Sequence, residues 1–254
     1  VGNRPERQVI DGVPVYWAEA PPPFTAALLF RVGRADDELP RLGLSHLVEH
    51  LAFYPIGPLT FTANGFVGDL WSAFYSSGEQ EDVLGLLHDL CRNVSSLPLE
   101  RLETEKRVLT TEAASRGTGW RERLLDLRFG PRGFGLGSYE ELGLRTATRE
   151  EVAGWASERF VKGNVVAWGT GKPPSQLTFD LPPGGRSEVP PSEPRPRLDL
   201  PAHLADGSGG VSLGVVGERA SALSAGFWVI ERRAENRLRR LPRAPRRHSP
   251  REDA

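Results

Sequence analysis

Apolar positions along residues 8–171 alternate, then recur every three and four, then alternate again, and this rhythm predicts a layered unit of strands and helices. The stretch "RQVIDGVPVYWAE" sets Val9, Val13, Val15 and Tyr16 around Asp11 and Gly12, the pattern of two short strands joined by a hairpin turn. Residues 24–37 read as a mostly buried strand with a polar exit. From residue 39 onward, Leu44, Leu47, Val48, Leu51 and Ala52 fall at helical spacing, predicting a largely internal helix. "FTANGFVGDLWSAFYSSG" reads as strand interrupted by glycines. Two further helices are predicted over 79–94, from Val83, Leu86, Leu87 and Leu90, and over 100–115, from Leu102, Val108 and Leu109. Thr148, with Glu151 three residues on, has the form of a capping box that starts another helix. Residues 164–171 close the series as a buried strand. Strands first, helices between and a strand last imply an α+β fold, a mixed and mostly antiparallel sheet packed against helices.

The rhythm stops near residue 172. Residues 173–201 carry nine of the 22 prolines, a composition that forbids helix and predicts an extended linker. The expected organisation is a first domain over 1–182, a proline-rich linker over 183–207, and the opening of a second, incomplete domain over 208–240. A basic, disordered tail over 241–254 completes it.

Composition narrows the classes of function. A chain of 254 residues with 39% hydrophobic residues can bury a core, and 32 basic against 33 acidic residues leave a net charge of -1. No bulk field recommends nucleic acid or a membrane surface as partner. Cys91 is the single cysteine, which excludes a disulfide framework and a cysteine-built metal site and leans toward an intracellular, cytoplasmic setting. No apolar run approaches the roughly 18 residues of a membrane span, and the polar opening lacks a signal-peptide core. There is no methionine, so Val1 is an alternative initiator or the cut end of a longer chain.

The chemistry lies in "GLSHLVEHLAF". On a helix, His46 and His50 share a face four residues apart, able to converge on one cation, with Glu49 beside them. His46-Leu47-Val48-Glu49-His50 fits the inverted zinc signature H-x-x-E-H, in which the carboxylate can take a proton from water. The alternative is a pair of helix histidines satisfied by water or carboxylates. A third ligand would separate the two readings. Glu105 and Glu112 lie seven apart, two turns along one predicted helix, and two histidines with one glutamate complete a catalytic zinc set that leaves a position for water. Glu112 is assigned to the metal and Glu105 to orienting a ligand or polarising the water. His88 could compete, but Leu86, Leu87 and Leu90 around it argue for ordinary helix packing.

With these residues in view, the sequence resembles the inverted-motif zinc peptidases of pitrilysin, insulin-degrading enzyme and mitochondrial processing peptidase. "LGLSHLVEHLAF" is similar to the metal helix of that family, "LETEKRVLTTEAASR" to its glutamate helix, and "GSYEELGLRTATREEVAGWASERFVKGNVVAWGTG" to the segment ending its first domain. The resemblance covers residues 8–181, with a weaker echo of the second domain over 210–240. It implies one half of a clam-shaped metallopeptidase with one zinc per chain, held by His46, His50 and Glu112, and Glu49 as the base. The implied substrates are short or unfolded peptides. A second subunit or domain, in a homo- or hetero-oligomer, completes the chamber. Three features depart from the family. Glu112 follows His50 by 62 residues, a short interval; "GFVGDLWSAFY" stands where members carry an Asn-Ala pair on the substrate strand; and the second half-clam, which supplies arginine and tyrosine to the substrate carbonyl, stops near residue 240. A non-catalytic peptide-binding or assembly subunit of the same fold is the alternative, as is an inactive truncated member. An intact Glu49 counts against a silent subunit.

Overall fold

The computed structural model of the protein describes residues 4–115, 119–199 and 202. Two short strands, β1 (Glu6–Ile10) and β2 (Val13–Trp17), meet in the expected hairpin. Its turn needs two residues with positive φ, which Asp11 at 48° and Gly12 at 80° supply. The next strand, β3 (Phe24–Phe30), is shorter than the sequence implies, because the chain turns at residues 34–36 into a single 3₁₀ turn. "FTANGFVGDLWSAFYSSG" is a hairpin of two strands, β4 (Thr62–Val67) and β5 (Ser72–Gly78), rather than one interrupted strand. The last strand, β6 (Val165–Gly169), enters the middle of the sheet. The strand order is β1-β2-β6-β3-β5-β4; β2 and β6 run parallel and every other neighbouring pair antiparallel. This is the mixed, mostly antiparallel sheet of an α+β fold.

Helices pack against that sheet. The first, α1 (Leu44–Phe53), is buried almost all round, as its apolar run requires. Behind it lie α2 (Gln80–Ser95) and α3 (Leu102–Ser115), followed by α4 (Trp120–Phe129) and α5 (Arg149–Arg159). Thr148 caps α5 as expected: its hydroxyl accepts from the Glu151 N–H while the Glu151 carboxylate accepts from the Thr148 N–H. The sequence pattern does not predict α4, since its polar run "WRERLLDLRF" has little apolar periodicity.

Phe30, Phe74 and Phe160 meet at the centre, all fully buried, with Phe30 and Phe160 ring centres 4.9 Å apart. Leu47 and Leu51 of α1 have no exposed surface, and truncating either to alanine should cost about 2–5 kcal/mol through lost transfer energy and the cavity left behind. α1 is therefore held by the core along its length. The proline-rich stretch after Pro182 contains no helix or strand among its described residues. It lies back on the body: Asn164 and Ser187 exchange two hydrogen bonds, and the Arg195 N–H donates to the Arg128 carbonyl at 2.7 Å. The expected second domain over 208–240 and tail over 241–254 lie outside the described residues. Among the described residues, no helix is long and apolar enough to cross a membrane.

Candidate metal centre

The site is built on α1, whose N-terminus is fixed before its histidines appear. Gly43 caps the helix with φ of 106°, a left-handed conformation that a side chain would oppose. Its N–H donates to Asp37 at 2.8 Å, and the Ser45 hydroxyl donates to the same carboxylate at 3.0 Å. Trp155 of α5 donates in turn to Ser45. Burial pushes the Asp37 carboxyl up to about 7, against the opposing pull of those two hydrogen bonds.

One turn along, His46 and His50 stack edge to face, ring centres 5.0 Å apart, with the Glu49 carboxylate 3.8 Å from Nε2 of each. Glu112 on α3 reaches the same space, its Oε1 3.7 Å from His50 Nε2. On the far side of that ring, Glu105 Oε2 lies 3.4 Å from His50 Nδ1, and its other oxygen is 3.4 Å from Arg101. The structure thus groups His46, Glu49 and His50 within 4.8 Å, while Glu112 and Glu105 each approach His50. His88 is elsewhere, against a small apolar recess with Phe24, Trp168 and Phe179.

Glu141 also belongs to the site, although no sequence pattern points to it. Its Oε1 lies 2.9 Å from His46 Nδ1. β4 supplies an asparagine where the sequence pattern leaves it unplaced: Asn64 lines the cavity rim, its amide donating to the Tyr75 hydroxyl at 3.2 Å. The cavity measures about 410 Å³ and adds Arg34 and Phe66 to these residues. A second recess of about 350 Å³, lined by Phe53, Tyr54, Ile56 and Ala63, opens beside it along the same strand.

The donor set suits a divalent cation. His46, Glu49 and His50 each place a ligand atom within 4.8 Å of the others. Both Nδ1 atoms face carboxylates, and both Nε2 atoms lie 3.8 Å from Glu49, with Glu112 reaching the Nε2 of His50. Zinc bonds of about 2.0–2.2 Å in tetrahedral geometry set ligand atoms roughly 3.5 Å apart, close to the His50–Glu112 separation of 3.7 Å. Side-chain exposure grades outward from 9% at Glu49 and 11% at His46 through 18% at His50 to 43% at Glu112, so the centre has one open side.

No protein-family model and no curated protein matches the chain. Solved structures do. The chain is similar to the inactive domain of an M16 peptidase from Pseudomonas fluorescens, with a TM-score of 0.61 and 15% identity over 75% of this chain and 54% of that one. It is similar to a protease from Helicobacter pylori, with a TM-score of 0.60 and 14% identity over 76% of this chain and 54% of that one. Pitrilysin matches with a TM-score of 0.52 and 16% identity over 72% of this chain and 25% of the enzyme. At such identities the likeness is one of fold, that of one half of an M16 peptidase. The chain spans about half the length of the first two neighbours and a quarter of pitrilysin.

Proposed function

We propose that this chain is a zinc metallopeptidase half of the pitrilysin type, acting on short or unfolded peptides once a second domain or subunit closes over the site. The observation that carries this reading is the buried Glu49 carboxylate 3.8 Å from Nε2 of both His46 and His50, with the Glu112 carboxylate 3.7 Å from the same His50 nitrogen. Zinc held by His46, His50 and Glu112 would supply Lewis acidity toward both the attacking water and the scissile carbonyl.

The chain's own residues do the rest. Glu49 takes the proton from the attacking water at its carboxylate and returns it to the departing amine, so that each amide cleaved consumes one water and restores the base. Its position between the two Nε2 atoms puts the base at the reacting centre. Among the described residues β4 ends the sheet and pairs with β5 on one side only, so its outer backbone edge can take an extended peptide as one more strand, with affinity but little sequence demand. Asn64 and Phe66 line that edge, and Glu105 orients His50. The lone Cys91, fully buried, fits a reducing compartment such as the cytoplasm.

A non-catalytic subunit of the same fold is the second reading, favoured by the match to an inactive domain. Glu49 speaks against it. The test is elemental analysis combined with turnover of a quenched peptide, alone and with candidate partner subunits. Zinc near one per chain, weakened by His46→Ala, His50→Ala and Glu112→Gln, supports the site. Glu49→Gln should keep the metal and lower turnover by about 10²–10⁴-fold. Zinc unchanged in all three ligand variants would end the proposal.

A further inference from the structure

We infer that Glu141 is a positioning residue: it holds the His46 imidazole with its proton on Nδ1 and so turns the Nε2 lone pair into the cavity. This rests on the zinc reading above only for the identity of what Nε2 faces.

The contact is short and shielded. Glu141 Oε1 and His46 Nδ1 are 2.9 Å apart, and the side chains are 10% and 11% exposed. A carboxylate at that distance accepts from Nδ1–H, and an imidazole that is neutral with its proton there has its free lone pair on Nε2, the form a cation requires. The adjacent Glu140 plays no such part, since its side chain is 77% exposed and pairs with Arg145. Of two neighbouring glutamates, only one is turned inward.

The backbone delivers Glu141 to that point. The Gly143 N–H donates to the Leu42 carbonyl at 3.0 Å, and a Cβ on Gly143 would lie 2.6 Å from the Arg41 carbonyl carbon. A Cβ on Gly43 would lie 2.9 Å from the Glu141 Cβ. Two glycines therefore let residues 141–145 dock on the start of α1 at a distance side chains would forbid. Tyr139 ties the same segment to α4, its hydroxyl donating to Asp126 at 2.8 Å. Glu141 is thus aimed by a fixed frame, whereas Glu105 meets His50 at a looser 3.4 Å and divides itself with Arg101. Of the two histidines, His46 is the one whose orientation is set in advance.

The experiment uses the full chain and the variants Glu141→Ala, Glu141→Gln and Glu140→Ala. Zinc affinity is read by chelator competition. The His46 tautomer is read by nitrogen NMR on metal-free protein. Glu141→Ala should weaken zinc about 10- to 100-fold, Glu141→Gln less because its amide oxygen still accepts, and Glu140→Ala should change nothing. Metal-free wild type should show His46 protonated on Nδ1, and Glu141→Ala should lose that preference. Zinc affinity and tautomer both unchanged in Glu141→Ala would overturn the inference, as would a wild-type His46 protonated on Nε2, which needs no variant to observe. A wild type that binds no zinc would remove the metallopeptidase reading, while an Nδ1 tautomer dependent on Glu141 would still uphold the positioning role.

Discussion

Gly65 of β4 stands directly against Glu49 of α1: a methyl group at position 65 would strike the Glu49 carboxylate and the Phe53 ring. The edge strand thus approaches the Glu49 carboxylate as closely as a backbone can, and on the proposed reading a peptide added to β4 would lie beside that carboxylate. Gly65→Ala is expected to displace Glu49 by a fraction of an ångström to an ångström and to lower peptide turnover by about 100-fold. Zinc should stay bound, because none of the three proposed metal ligands lies on β4. Turnover and metal content measured on one sample check this, and full activity in Gly65→Ala would detach Glu49 from the reaction.

Asp37 makes stability depend on pH. Folding raises its carboxyl from 3.8 to about 7, so the folded protein holds a proton there that the unfolded chain releases. The stability contributed by that proton is fully present below pH 3.8 and is lost as pH rises toward 7, at about 1.4 kcal/mol per pH unit within the window. Asp37→Asn removes the dependence. Denaturant unfolding between pH ~5 and ~8 should show wild type losing stability more steeply than Asp37→Asn; parallel curves would mean that the carboxyl is already ionised at the acid end of that range.

Cys91 should be chemically silent. It is fully buried on α2, and burial pushes its thiol up to about 12, leaving negligible thiolate at neutral pH. An alkylating reagent at pH ~8 should label it only after denaturation. Rapid labelling of the native protein would show that α2 opens locally.

On the proposed reading, residues 4–199 form one wall of the chamber, which limits the activity of this polypeptide by itself. With water open to the cavity, electrostatic contributions to the transition state are diluted, so the isolated chain is expected to be a weak or inactive peptidase. It should self-associate, or bind a second subunit, through the face bearing His46 and Glu112. Light scattering with turnover assays reads both properties. A strict monomer at ordinary enzymatic rates would show that the second half is dispensable.

What the sequence disclosed follows from the range of each signal. His46, Glu49 and His50 are legible because helix periodicity alone puts them together, and Glu105 and Glu112 because seven residues make two turns. The Asp11-Gly12 turn and the Thr148 cap are equally local. Glu141 is invisible in the sequence for the opposite reason: it meets His46 across 95 residues of chain, from a segment of 3₁₀ turns without periodicity. Asn64 goes unplaced because the four-residue turn at 68–71, which divides β4 from β5, is not a two-residue type with a strong signature. α4 escapes because its ten residues bury only Phe129 fully, so no apolar stripe marks it.

The central position of β6 also sets an order of events during synthesis. Until residues 165–169 are made, the sheet exists as two separate pieces, the β1–β2 hairpin and the three strands β3, β5 and β4. Joining them closes a loop on the order of a hundred residues or more, a non-local step that should dominate the folding time. Meanwhile β2 and β3 each present an unpaired edge, the kind of surface on which nascent chains pair wrongly. A chain stalled at residue 160 would lack the join as well as the strand, and its His46–His50 helix would be attached to a three-stranded remnant open on both sides.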